Sequence, residues 1–160
     1  VQVGGPSGTC VGPDDFNRTL CFTDLATGGS LIIIGKNRDL LRDIVLNFTD
    51  FFVEESCGSC TPCRVLTVMM REKFVKILEG KGCLKDLGDL EDWGKLMRAN
   101  RCGLGHTAPN PILSSLKNFR HLYEELIPEK RGFDTGFRLE EALAEGRSIR
   151  LEQLKLQDHE

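Results

Sequence analysis

The sequence predicts a mainly α fold: a four-helix bundle, preceded by a short β-like segment. Three observations carry this. Apolar residues recur at spacings of three and four in four successive stretches between Asp39 and Pro128, the period of helices with one buried face. Short connections join these stretches, which makes sequence neighbours antiparallel partners. Residues 1–36 are instead Gly-rich, with strand-like runs at 1–3 and 31–34 and turn chemistry between them.

Taken in order, Gly4, Gly5, Gly8, Gly28 and Gly29 fit neither the P-loop nor the Gly-x-Gly-x-x-Gly pattern, so they read as turns. A first helix begins near Asp39, with Leu40, Leu41, Ile44, Val45, Phe48, Phe51 and Phe52 on one face. Its phenylalanines read as core. A second helix is expected just after Cys63, with Val65, Val68, Met69, Phe74, Ile77 and Leu78 apolar and Gly80 and Gly82 ending it. Cys83 reads as a small buried hydrophobe. The third helix spans about 85–99, with Leu87, Leu90, Trp93, Leu96 and Met97 inward. Gly88 and Gly94 weaken it; Gly94 is either a close-contact point or a tolerated surface glycine. The fourth has Asn110 as a cap, Pro111 at its first position and Pro128 as its stop. Its apolar face is Ile112, Leu113, Leu116, Phe119, Leu122, Tyr123 and Leu126. From Glu129 the chain turns polar, and 139–144 has material for only a turn or two of helix. The expected divisions are 1–36, a helical unit over 37–128, and a polar tail over 129–160.

The chemistry concentrates at 54–64, Glu-Glu-Ser-Cys-Gly-Ser-Cys-Thr-Pro-Cys-Arg. Cys57, Cys60 and Cys63 are two residues apart, so three thiols share one loop. Cys102, in Arg-Cys-Gly-Leu-Gly, is the best fourth. Three close cysteines plus a distant one is a 4Fe–4S pattern. A structural four-cysteine zinc site is the rival, since thiolates suit both metals. Zinc sites usually take two separated Cys-x-x-Cys pairs, and no second pair lies elsewhere. Thirty-eight residues separate Cys63 from Cys102, room for one helix out and one back. Pro62 pre-sets a helix start at the cysteines, where free N–H groups favour an anionic group. Gly58, Gly103 and Gly105 are positions where backbone can approach sulfur. Arg64 and Arg101 adjoin ligands and would either raise a cluster's potential or sit exposed without effect. His106 reads as an outer or surface residue rather than a ligand. Four protein ligands leave no open iron site, so electron transfer fits better than substrate chemistry.

Composition bounds the rest. With 160 residues, 40% hydrophobic and 28% charged, the chain is an ordinary globular sequence. A net charge of −3 gives no nucleic-acid footprint. The longest apolar run, 31–34, is far short of a membrane span. Clustered cysteines, seven in all, point to metal ligation in a reducing, cytoplasmic compartment rather than to disulfides. No signal peptide is evident. A first residue of Val1, already strand-like, suggests a piece of a longer polypeptide.

The stretch 55–64 resembles the signature of the NADH-binding flavoprotein subunits of respiratory complex I, shared by diaphorase subunits of NAD(P)-linked hydrogenases and some formate dehydrogenases. Cys-Gly-Leu-Gly at 102–105, Thr-Ala-Pro-Asn-Pro at 107–111 and Leu-Lys-Asn-Phe-Arg at 116–120 are similar to the family's fourth-ligand segment and final helix. The resemblance covers about 1–128 and is closest to the hydrogenase-type branch. It implies that 1–36 are the end of a ubiquitin-like β-grasp module. It also implies that the bundle carries one 4Fe–4S cluster fed by a flavin, with Cys57, Cys60, Cys63 and Cys102 as ligands. The family's NADH and flavin region lies ahead of the β-grasp module. FMN and NAD(H) are therefore expected only in an upstream part of a parent, and no residue here is assigned to them.

The expected function is an electron-transfer module of an NAD(P)H-linked flavoprotein oxidoreductase, not catalytic alone. Its partners would be iron–sulfur subunits of a multi-subunit dehydrogenase or hydrogenase, with neither nucleic acid nor membrane insertion involved. The alternative is a non-enzymatic assembly scaffold held by a structural metal; redox activity separates the two.

Overall fold

Asp39 starts the helical part by a simple device: its Oδ1 accepts the Leu41 and Arg42 N–H groups at 2.9 and 3.0 Å, satisfying donors a helix start leaves free. In the computed structural model, which describes residues 1–128, a π-helical turn, Leu40–Val45, runs directly into α1, Leu46–Glu54. Then come α2, Thr61–Leu78; α3, Leu84–Leu96, with a 3-10 turn, Met97–Ala99; α4, Gly103–Thr107; α5, Asn110–Asn118; and α6, Arg120–Glu125. The described part is mainly helical. The expected tail at 129–160, including 139–144, lies outside the described residues.

Ahead of the helices, β1 (Gln2–Val3), β2 (Thr9–Cys10) and β3 (Leu31–Ile32) form a small sheet in the order β2-β1-β3, both pairs antiparallel. Its own small core is Val3, Val11 and Leu25. β2 was not legible in the sequence, being two residues between glycine turns. It is tied to α5: Cys10 donates its N–H to Ser114 Oγ (3.0 Å) and accepts from Asn118 Nδ2 (2.7 Å).

In the main core, α1 packs on α2, α2 on α3, α3 on α5, and α5 on the π-helical turn and α1. Phe74, Ile77, Leu87, Leu90, Met97, Ile112, Leu116 and Tyr123 are fully enclosed there. Gly94 resolves as a contact point: a Cβ there would sit 2.5 Å from Leu113 Cδ1, so its absence lets α3 meet α5 closely.

Several sequence expectations are corrected. Leu96, expected inward, is 58% exposed, and Phe51, read as core, is 40% exposed. The buried stripe of α2 is Cys63, Thr67, Met70, Phe74 and Ile77, spaced four, three, four and three; Val65, Val68 and Met69 are 38–42% exposed. Both faces carry apolar residues, and packing against α1 and α3 selects this one. The fourth helix breaks at Phe119, φ −137°, ψ 39°. Asn110 is the first residue of α5 rather than its cap; its Nδ2 donates to Ser7 O at 2.8 Å, tying the helix to the glycine-rich turn.

One ion network fastens α2 to α3. Asp86 is fully buried and accepts from Lys73 (2.9 Å), Lys76 (2.8 Å) and the Cys83 N–H (2.9 Å). Lys73 also reaches Asp89 (2.6 Å) and lies 4.6 Å from the Trp93 ring centre. Burial would raise the Asp86 carboxyl, but hydrogen bonds from Lys76, Lys73 and the Cys83 N–H outweigh it and hold the group far below the usual carboxylate range. A group whose folded pKa is depressed stabilises above its unfolded value, near 3.9 for Asp, and loses that contribution as pH falls towards the folded value. Asp86→Asn is expected to cost about 3 kcal/mol at neutral pH, the low end for breaking a buried pair, because Lys76 keeps 42% exposure to water. Chemical denaturation of both chains from about pH 7 to about pH 3 checks it: the gap should narrow below about pH 4, where the unfolded chain takes up a proton at Asp86 that the folded chain, with its depressed carboxyl, does not. Among the described residues, no helix is long and apolar enough to cross a membrane.

Candidate metal centre

The cysteine loop joins the end of α1 to the start of α2. Gly58 turns it in the left-handed region, φ +69°, which disfavours any side chain. Gly58 is held from both sides: its N–H donates to Ser56 Oγ (3.3 Å) and its carbonyl accepts from Arg64 Nη1 (3.1 Å). Arg64, read from sequence as an electrostatic neighbour, thus shapes the loop directly. Ser56 Oγ also meets Cys63 Sγ at 3.2 Å.

Cys60 is the last extended residue before α2, φ −89°, ψ 130°, with Pro62 in the first turn. Its carbonyl accepts the Arg64 N–H at 2.9 Å. Cys63, one turn in, is 6% exposed, and its carbonyl accepts from Thr67 Oγ1 at 2.7 Å. Cys57 and Cys102 are exposed, and Cys60 is half-buried. Cys102 precedes α4 in extended conformation, φ −129°, ψ 163°, so Cys60 and Cys102 both stand at helix entries.

The distant cysteine is brought back by Asn100, which sequence reasoning missed. Asn100 is buried. Its Oδ1 accepts the Cys63 N–H at 2.9 Å, and its Nδ2 donates to Met97 O (2.8 Å) and Gly105 O (3.2 Å). One side chain therefore fastens the first turn of α2 to the segment carrying Cys102. The only signal in the sequence was an amide residue between an apolar helix end and a ligand candidate. Gly105 is required by this amide: a Cβ there would lie 2.6–2.8 Å from the Asn100 side chain. His106 Nε2 lies 2.6 Å from Asn100 O. A carbonyl only accepts, so this network assigns a proton to Nε2.

The structure thus joins the segments of Cys63 and Cys102, while among the described residues no three His, Cys, Asp or Glu side chains are grouped to hold a metal ion. None of the seven cysteines is in a disulfide. Cys10 lies in β2 and Cys83 at the entry to α3, outside the cysteine loop and the Cys102 segment. The residues fit a soft-metal group by donor chemistry: three thiols on the first turn of α2 and the loop ahead of it, which Ser56 and Arg64 hold, and a fourth on a segment tied to that turn.

Comparison with known proteins agrees with this chemistry. Residues 43–126 match the family described as NADH-ubiquinone oxidoreductase-F iron-sulfur binding region. The NAD-reducing hydrogenase HoxS subunit alpha of Cupriavidus necator is 45% identical over 134 residues, 82% of this chain and 22% of that protein. The NADP-reducing hydrogenase subunit HndC of Solidesulfovibrio fructosivorans is 33% identical over 138 residues, 82% of this chain and 28% of that one. A crystal structure of an NAD+-reducing NiFe-hydrogenase in the H2-reduced state superposes with a TM-score of 0.75 at 37% identity, covering 93% of this chain and 26% of that one. The chain spans about a quarter of the length of these relatives.

Proposed function

We propose a function from one premise: the chain belongs to the NADH-ubiquinone oxidoreductase-F iron-sulfur binding region family. A 4Fe–4S cluster is the cofactor that goes with that membership. The proposed role is an electron relay within an NAD(P)H-linked flavoprotein oxidoreductase, between FMN in the parent subunit and iron–sulfur clusters of partner subunits. When bound, the cluster supplies one-electron transfer at a coordinatively closed centre. Cys57, Cys60, Cys63 and Cys102 are the proposed ligands.

The observation that carries this is the Asn100 bridge, which sets the segment of Cys102 against the helix turn that starts at Cys60. The chain's own residues do three things for the site. Pro62, in the first turn of α2, pre-sets the backbone for a helix start at the cysteines. Ser56 and Arg64 hold the Gly58 turn. Asn100 returns the distant segment. The proposed organisation is the end of a β-grasp module over 1–36, a four-helix bundle over 37–128 built from α1, α2, α3 and α5 with α6, and a tail over 129–160. The relatives are named as subunits of hydrogenases, which supports a multi-subunit assembly as the setting. A scaffold role for a structural metal is the less favoured reading, since family membership favours iron and sulfide over zinc.

Anaerobically prepared protein is expected to carry about four irons and four sulfides per chain, with visible absorbance that bleaches on dithionite. Metal and sulfide analysis checks this, and stoichiometric zinc without labile sulfide would sink the cluster reading.

A further inference from the structure

Asn100 uses its whole amide. One acceptor bond goes to the Cys63 N–H and two donor bonds go to Met97 O and Gly105 O, and no buried side-chain polar atom is left unpaired among the described residues. Its own carbonyl takes the His106 ring. A buried amide with each group engaged is costly to displace, because every lost partner leaves a polar atom unsatisfied. The bridge spans 37 residues of sequence and ends on Cys63 itself.

From this we propose that Asn100 is the positioning residue of the metal centre: it fixes the Cys102 segment in register with the first turn of α2, so that protein rather than metal sets the ligand geometry. The inference rests on the cluster reading above. Outer partners of metal ligands typically govern affinity by orienting them, and Gly105 belongs to the same device because any side chain there collides with Asn100.

Two variants test it from opposite sides. Asn100→Asp keeps an acceptor for the Cys63 N–H and loses both donor bonds. Gly105→Ala leaves Asn100 intact but forces its side chain to move, with no change of charge. For each, cluster-bearing protein is prepared anaerobically, and two properties are read: the rate of iron loss to a chelator and the electron paramagnetic resonance spectrum of the dithionite-reduced state. Asp86→Asn serves as control, since it weakens the α2–α3 pairing without touching Asn100, Cys63 or the Cys102 segment. The expected result is iron loss about ten- to a hundredfold faster in both site variants with an altered spectrum, while Asp86→Asn lowers thermal stability with a wild-type spectrum. If both site variants merely lower the melting temperature, as the control does, and keep wild-type iron retention and spectrum, Asn100 is structural only and the proposal is overturned. A wild-type chain that binds no iron and sulfide is a different failure: it overturns the cluster reading, and this proposal with it.

Discussion

Cys102→Ser is expected to empty the metal centre as thoroughly as Cys57→Ser does, although the two positions lie 45 residues apart. A serine hydroxyl is a harder ligand than a thiolate and stays protonated at neutral pH, whereas a cysteine, with a pKa near 8.5, is readily deprotonated by a metal. Losing an outer partner of a metal ligand already costs about ten- to a hundredfold in affinity, so losing a ligand should cost at least that. Cys83→Ser and Cys10→Ser are expected to keep full iron and sulfide. Cys83 sits at the entry to α3, where its backbone N–H serves Asp86, and the backbone of Cys10 ties β2 to α5. Iron, sulfide and visible absorbance measured across Cys57→Ser, Cys102→Ser, Cys83→Ser and Cys10→Ser decide the assignment. A cluster that survives in Cys102→Ser and vanishes in Cys83→Ser would transfer the fourth ligand to Cys83.

What the sequence made legible is what short-range chemistry dictates. Asp39, Pro62 and Pro111 mark helix starts by side-chain capping or fixed φ, and the Cys57, Cys60 and Cys63 spacing marks the loop regardless of what packs around it. Less legible were features decided at long range. The face that α2 buries depends on α1 and α3, because Val65, Val68 and Met69 are as apolar as Met70 and Phe74. The Asp86 network reads in sequence as scattered charge; only the approach of α2 to α3 makes it one buried cluster. Asn100 is invisible for the same reason, since its meaning lies in three backbone partners that no local pattern names. The short helix α4 and the two-residue strand β2 are too brief for periodicity to register.

In the parent protein, Cys60→Ser is expected to separate two activities. Cys60 closes the loop and enters α2, with its carbonyl bonded to the Arg64 N–H. The serine variant keeps that backbone bond while removing a proposed ligand. NADH oxidation by a small dye that reaches the flavin directly should survive, because that reaction needs nothing from this region. Reduction of the physiological partner subunits should fall by more than about a hundredfold, beyond the loss typical of an outer-partner change, since electron tunnelling over that span requires the intermediate centre. A scaffold metal makes the opposite prediction. Its removal would loosen the packing of α2 against the segment of Cys102, and dye reduction, partner reduction and melting temperature would then decline together. Measuring all three on the Cys60→Ser parent, with flavin content as the check on an intact upstream domain, separates the accounts. Selective loss of partner reduction at unchanged flavin content identifies a relay, whereas equal loss of both activities at that same flavin content counts against it.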